Sequence, residues 1–431
     1  MTRFIRSIGL ASWFVVTISA QDITGVWQGT LGAGSSTPLR LILHIAKDDQ
    51  GNWTARLQSI DQGGFDSYIT ANAVTVQGSN LKLNIGAVGG TYEGKISSAG
   101  DSIEGTWKQF LPLPLEFRRP TKETEFRDPS PHTQQFIAAE PNVKIEVLDW
   151  GGSGRPMVLI PGLGNTAHVF DTFAPKLAST YHVYGITRRG FGESSAPTPA
   201  SGTYAADRLG DDVVAVLDAL KLNRPILVGH SLGGEELSSV GSRHPEKVVG
   251  LVYLDAAYFY AFYDKAHGNF LIDRVYLQRA LDRVDTGDPA ADRKVMQDLS
   301  ASLLPAVERD IEDLLKNTPD PPPRQGPPPP PPLLITQAIM SGVQKYSDIH
   351  VPVLAIFAVP HNNGQPFKDD AARAAAEARD EAVTGAQAKA IEAGIPGARV
   401  VRLPHANHYV FRSNEADVLR EINAFVASLP H

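Results

Sequence analysis

Pro225-Ile226-Leu227-Val228-Gly229-His230-Ser231-Leu232-Gly233-Gly234-Glu235-Glu236-Leu237-Ser238 runs from an apolar tetrapeptide through G-x-S-x-G into a polar and apolar mixture. The stretch reads as a strand, a sharp turn and the start of a helix. Such a turn forces its central serine into a strained backbone conformation and lifts the hydroxyl above the sheet edge. Small residues at 229, 233 and 234 let strand and helix approach closely. Glycine and serine are common, so the pentapeptide alone could arise by chance. The strand before it, the helix after it and the partners downstream make Ser231 a candidate nucleophile.

Around this turn, strands alternate with helices from Val143 to the C-terminus. The strands are expected at Lys144–Asp149, Pro156–Ile160, His182–Ile186, Pro225–Val228, Val248–Asp255, Val351–Val359 and Ala398–Leu403. Helices are expected at Ala205–Leu222, Gly234–His244, Asp369–Ala393 and Glu415–Ser428, with Gly394 as a C-cap. The alternation predicts an α/β unit, residues 143–431, built on a mostly parallel sheet covered on both faces. One long segment interrupts it. Between Asp255 and Val351 only helix-period stretches occur, Leu271–Val284 and Arg293–Leu315, followed by a proline-rich run at 319–332. An insert of about 257–347 at this point is expected to cap the serine. The proline run reads as polyproline II, and a stiff spacer is the favoured reading over a partner ligand.

A serine hydroxyl needs a base. With the elbow serine first in chain order, the base should follow the last strand. Leu403-Pro404-His405-Ala406-Asn407-His408-Tyr409 lies there and offers two histidines. His408, nearer the final helix, is favoured over His405. The base in turn needs an acid to hold its tautomer. Its usual place follows Val351–Val359, yet Pro360-His361-Asn362-Asn363-Gly364 holds no carboxylate. Asp369 and Asp370 come late. Asp255, ending the strand beside the nucleophile strand, is the expected acid, and a bracing or capping role is its alternative. The oxyanion donors are expected from the Leu232 N–H, next to the nucleophile, and the Leu163 N–H in Ile160-Pro161-Gly162-Leu163-Gly164.

Residues 21–119 differ in character. Short alternating runs such as Leu39–Ile45, Trp53–Leu57, Leu81–Ile85 and Ser102–Trp107 are separated by turn signals, with no helical period. They predict a small all-β barrel or sandwich, with Trp27 and Trp107 turned into its core and first and last strands paired. Residues 120–142 read as a linker. At the N-terminus, Arg3 and Arg6 precede a mostly apolar Ile8–Ile18 and the small pair Ser19-Ala20. Residues 1–20 therefore read as an export signal, with a secreted or periplasmic destination and no stable membrane insertion after cleavage.

The 431 residues suit two domains, and 42% hydrophobic with 20% charged residues is globular composition. A net charge of −7 with no basic stripe argues against nucleic-acid binding. The chain has no cysteine, which excludes disulfides, N-terminal lipidation on a thiol and thiolate zinc sites.

Residues from about Val143 to Pro430 resemble the α/β-hydrolase fold. The resemblance rests on Pro161-Gly162-Leu163-Gly164, Arg189-Gly190-Phe191-Gly192-Glu193-Ser194, Gly229-His230-Ser231-Leu232-Gly233 and Asn407-His408, in that order. Two features depart from the pattern. Pro161 stands where histidine often precedes the oxyanion glycine, and the acid is missing from its usual strand. Some members carry the acid after the earlier strand, where Asp255 falls. Epoxide hydrolases and haloalkane dehalogenases of this fold use aspartate at the elbow, which Ser231 argues against. The remaining serine members imply an exported esterase or lipase-like enzyme acting on a small ester by a Ser231–His408–Asp255 triad, without metal or organic cofactor. Phe259, Tyr260, Phe262, Tyr263, Phe270 and Tyr276 would line an apolar pocket or simply form cap core. A lactonase, amidase or acyltransferase on the same triad is the near alternative. A non-catalytic binding protein on a hydrolase scaffold is the distant one. The β unit resembles an accessory domain of exported bacterial serine hydrolases.

Overall fold

In the computed structural model the described residues are 22–430, apart from 34–37, 64–67, 110–111, 127–129, 201, 285–286, 318–333 and 363–368. The expected export signal and proline-rich run lie outside the described residues.

The N-terminal part is all antiparallel. Its strands are β1 (Gly25–Leu31), β2 (Leu39–Lys47), β3 (Trp53–Ser59), β4 (Ile69–Thr70), β5 (Ala73–Gln77), β6 (Asn80–Ile85), β7 (Gly90–Ile96), β8 (Ser102–Lys108) and β9 (Pro112–Arg118). They form one sheet in the order β4-β3-β2-β1-β9-β8-β7-β6-β5. The outermost strands, β4 and β5, are consecutive in the chain, so the sheet must curl until its edges meet. The seam is Ala71, whose N–H donates to Ala55 O of β3 at 2.9 Å, and Asn72, whose N–H donates to Asn84 O of β6 at 2.7 Å. Alternation explains the core: along β6, Leu81, Leu83 and Ile85 turn inward while Asn80, Lys82 and Asn84 face water. Trp27, Leu43, Tyr92, Trp107 and Phe117 fill the roll. Trp27 and Trp107 are both buried, but β1 pairs with β9, so the Trp107 strand is one place removed.

The second sheet contains β10 (Thr133–Glu140), β11 (Val143–Gly151), β12 (Pro156–Ile160), β13 (His182–Thr187), β14 (Ile226–His230), β15 (Gly250–Leu254), β16 (Val353–Ala358) and β17 (Arg399–Leu403). Its order is β10-β11-β13-β12-β14-β15-β16-β17. The first two strands pair antiparallel, and β13 to β17 are parallel. Every residue of β14, β15 and β16 is buried. Leu227, Leu251, Tyr253, Val353 and Ala355 pack on one face. Ile226, Val228, Val252, Leu254, Leu354 and Ile356 pack on the other. Burial on both faces gives continuous apolar runs without alternation.

Some details differ from the sequence reading. The stretch read as linker contains β10. This edge strand has no fully buried residue, and Gln134 and Gln135 interrupt its apolar pattern. The helix expected at Arg293–Leu315 is two, Pro289–Asp298 and Leu304–Asn317, joined by a wider π-type turn at Leu299–Leu303. Pro305 has no N–H for the carbonyl four residues back, so the α pattern breaks there. The helix expected at Asp369–Ala393 is likewise split into Asp370–Asp380 and Ala386–Gly394 around a π-type turn, Glu381–Gly385. Gly394 is not a left-handed C-cap; Ile395 follows it in extended conformation. Glycine is needed there because a Cβ would sit 2.2 Å from Phe262 Cζ. Between β15 and β16 the described chain also forms helices Phe270–Leu281 and Leu334–Met340. No helix among the described residues is long and apolar enough to cross a membrane.

Candidate active site

Ser231 lies between β14 and the helix Gly233–Arg243, with φ of 49°, in the left-handed region that non-glycine residues rarely adopt. The surroundings enforce it. Ser231 N–H donates to Leu254 O at 3.3 Å, which pins the turn to the end of β15. A Cβ at Gly234 would sit 2.1 Å from Ala256 O, so only glycine lets the helix start this close.

Asp255 follows β15, also with a left-handed φ, 47°. Its N–H donates to Ile356 O at 2.7 Å. Its carboxylate Oδ1 accepts the Ala358 N–H at 2.9 Å. Oδ2 accepts His408 Nδ1–H at 2.6 Å. With Nδ1 donating, Nε2 is the basic nitrogen of His408. His230 steadies the other side: its Nε2–H donates to the His408 carbonyl at 3.1 Å, and the two rings lie 4.7 Å apart. Burial, then the neighbouring His408 charge, holds His230 far below the usual histidine range. His405 does not join this group. Its side chain is 62% exposed and its ring nitrogen lies 3.8 Å from Glu377.

The Pro161–Leu163 loop packs on the elbow. A Cβ at Gly162 would come within 2.9 Å of Ser231 Cβ. Behind it, buried Arg188 donates Nη2–H to Pro161 O at 2.8 Å and Nη1–H to Gly162 O at 3.3 Å. It pairs with Glu236 through Nε at 2.5 Å and Nη2 at 3.0 Å. In a trans peptide the carbonyl and the following N–H point in opposite directions. Drawing the Gly162 carbonyl to Arg188 therefore turns the Leu163 N–H away from it. Leu163 and Leu232 meet in one apolar cluster with Tyr204, Leu209 and Ile339.

Four features escaped the sequence reading. The position after β16, which lacks a carboxylate, holds His361. Its Nε2–H shares Asp255 Oδ2 at 2.8 Å, and its Nδ1–H donates to Asp380 Oδ2 at 2.8 Å. Asp380 closes the helix just before the π-type turn and is held through Thr384 Oγ1 at 2.8 Å. The Tyr260 hydroxyl, read as pocket lining, meets the Ser231 side chain. Arg188 stands one residue before the Arg189-Gly190 motif. Glu235 is fully buried in the helix after the elbow, and neither carboxyl oxygen has a hydrogen-bond partner among the described residues. Burial, then the Glu236 charge, raises it well above the usual carboxyl range. Phe259, Phe262 and Tyr263, with Tyr258, line a cleft of about 900 Å³, but Ser231 is not among its walls.

The charges follow the contacts. Burial would raise Asp255, but the hydrogen bonds and charges of His361 and His408 outweigh it and lower it to about 2. Burial would lower His361, but Asp255 and Asp380 outweigh it and raise it to about 9 from 6.5. His361 is therefore a cation at neutral pH. Its stabilising contribution is complete below pH 6.5 and is lost as pH rises through about 9. A shift of this size carries about 3 kcal/mol. Urea unfolding followed from neutral to about pH 10 should show that loss, and His361→Asn should flatten it.

The family described as "alpha/beta hydrolase fold" matches residues 155–414, and the chain belongs to it. It is 32% identical over 117 residues to a fluoroacetate dehalogenase of Burkholderia sp, covering 27% of this chain and 38% of that protein. It is 36% identical over 127 residues to 2-hydroxymuconate semialdehyde hydrolase of Pseudomonas sp. (strain CF600), covering 29% of this chain and 43% of that protein. Each match thus spans about two fifths of the relative's length. Among solved structures, the esterase RhEst1 from Rhodococcus sp. ECU1013 superposes with a TM-score of 0.44 at 18% identity, over 69% of this chain and 99% of that one.

Proposed function

We propose that this protein is a serine hydrolase that cleaves carboxylic esters through an acyl-enzyme. His408 Nε2 takes the Ser231 proton as Oγ attacks the ester carbonyl. The Leu163 and Leu232 N–H groups hold the oxyanion. Protonated His408 then gives its proton to the leaving alcohol, and a water deprotonated by His408 releases the acid. Asp255 keeps Nδ1 protonated and faces the imidazolium with a full negative charge.

The observation that carries this reading is the Asp255–His408 hydrogen bond of 2.6 Å beside a serine held at φ 49°. An elbow serine rather than aspartate supports attack by a serine hydroxyl that His408 deprotonates. A fluorophosphonate probe tests it. Labelling of Ser231 in folded protein, abolished by prior denaturation, is the expected result. An unlabelled serine in folded protein would leave only a binding role for the scaffold. Export and the ester class are part of the proposal; a panel of esters, lactones, amides and acyl acceptors separates ester cleavage from its alternatives.

Tyr260 adds one expected outcome. Its hydroxyl lies near the nucleophile, and a hydrogen bond formed there as charge develops on the oxygen contributes about 0.5–1.5 kcal/mol. Tyr260→Phe should lower kcat roughly tenfold with little change in fold. An unchanged kcat would reduce Tyr260 to packing.

A further inference from the structure

The turn after β12 carries His168 and Asp171, and it packs on His132, the residue before β10. His132 Nδ1 lies 3.2 Å from Asp171 Oδ1. His168 Nδ1 lies 3.0 Å from Asp171 Oδ2. The two imidazole rings are 4.9 Å apart. One donor atom from each of the three residues falls within 4.8 Å of the others. Behind His168, Glu146 Oε1 lies 3.9 Å from Nε2. His168, Asp171 and Glu146 are 5%, 8% and 1% exposed.

This cluster differs in kind from the one around Asp255. There each carboxylate oxygen is filled, Oδ1 by the Ala358 N–H and Oδ2 by two rings. Here two buried oxygens, Asp171 Oδ1 and Glu146 Oε2, accept no hydrogen bond among the described residues. His132 Nδ1 is close to Asp171 Oδ1 but off the line of a hydrogen bond. His132 Nδ1 hydrogen-bonds Ser130 Oγ at 3.2 Å instead. His132 and Asp171 thus bring two ligand-type atoms together without a shared proton, an approach a common cation would favour, while His168 Nδ1 and Asp171 Oδ2 do share one.

We propose that His132, His168 and Asp171 form a binding site for a divalent transition-metal ion of the zinc class, with Glu146 behind His168 as the outer carboxylate. Imidazole nitrogen and carboxylate oxygen suit zinc, and no thiolate is needed. Tetrahedral zinc bonds of about 2.0–2.1 Å put ligand atoms about 3.3 Å apart, close to the contacts seen. Metal binding requires neutral imidazoles, which leaves two buried negative charges for a dication to cancel. An ion would replace the proton between His168 Nδ1 and Asp171 Oδ2, leaving Nε2–H on the side of Glu146, whose Oε1 is held by Gln134 Nε2–H at 2.6 Å. A crevice that includes Arg40, Asp61 and Arg412 reaches His168 and Asp171. Its arginines are occupied, Arg40 by Asp61 and Arg412 by the Asp61 and Val169 carbonyls.

The ion would tie the start of β10 to the turn that continues the Gly162–Leu163 loop. Thr166 in that turn already meets the N-terminal unit: its N–H donates at 2.8 Å to Gln62 O, in the short helix Ile60–Gly63 that follows β3. In a chain without disulfides, the ion would act as a cross-link within the second sheet's unit, between the start of β10 and the turn that follows the oxyanion loop. This role does not depend on the hydrolase reading.

The test uses the full chain, stripped with chelator and returned to zinc or cobalt. One zinc per chain should survive gel filtration by elemental analysis, and cobalt should give the visible absorption of a low-coordinate site. His168→Gln and Asp171→Asn should lose both signals, and Asp255→Asn should keep both. Glu146→Gln should weaken affinity about 10- to 100-fold. Circular dichroism checks folding, and His132→Gln, at the half-buried end of the cluster, serves if the deeper variants unfold. Absence of stoichiometric metal in the reloaded wild type overturns the proposal. Metal that persists in His168→Gln and vanishes in Asp255→Asn also overturns it, because the ion then sits on Asp255, His361 and His408.

Discussion

Ser231→Ala and His408→Ala are each expected to lower kcat on an activated ester by about six orders of magnitude, and the double variant to lose no more than either alone. The proton of the nucleophile and the nitrogen that receives it act as one unit, so removing either removes the same step. What remains is binding and the oxyanion amides, worth about three to four orders over water. His405→Ala is expected to stay within about twofold of wild type, because its ring lies on the surface by Glu377. Single-turnover kinetics with the three single variants and the double variant checks this. If His405→Ala abolished acylation and His408→Ala did not, the base would be reassigned. If the double variant lost the product of the single effects, Ser231 and His408 would belong to separate steps.

The elbow was legible because its geometry needs particular residues. Glycines at 229, 233 and 234 are dictated by backbone atoms a few ångströms away, so the requirement is written in sequence. The central strands β14, β15 and β16 were legible because burial on both faces leaves uninterrupted apolar runs. β10 was not, since an edge strand half in water carries no such run. The site was legible where chain order constrains it, as for His408 and Asp255. It was hidden where long-range contact alone makes a group functional. Nothing local says that His361 meets Asp380 nineteen positions on, or that Arg188 reaches back to Pro161. The cluster at His132 was invisible for the same reason: its members come from a loop, a strand and a distant turn.

Asp255→Asn is expected to lower kcat by about four orders of magnitude with KM close to wild type. It should also lower the melting temperature without unfolding the chain, because the largely buried His361 cation loses the charge of one of its two carboxylate partners. An amide at this position presents N–H where His408 needs an acceptor, so the ring flips to the tautomer whose Nε2 carries hydrogen and cannot take the serine proton. The fold should tolerate the change because the Ala358 N–H keeps an oxygen acceptor at Oδ1. His361 makes this aspartate unusual: a cation sits on the same oxygen that orients the base. A second acid is therefore close, since Asp380 holds the far side of that cation at 2.8 Å. Asp380→Asn discriminates the two. Asp380 touches His361 and not His408, so its loss should cost kcat about tenfold or less, the worth of one weakened contact. Collapse of kcat in Asp380→Asn with near wild-type turnover in Asp255→Asn would move the acid function across His361 to Asp380. Collapse in both would mean that the whole chain of His408, Asp255, His361 and Asp380 works as one charge unit, with His361 as a member and not a support.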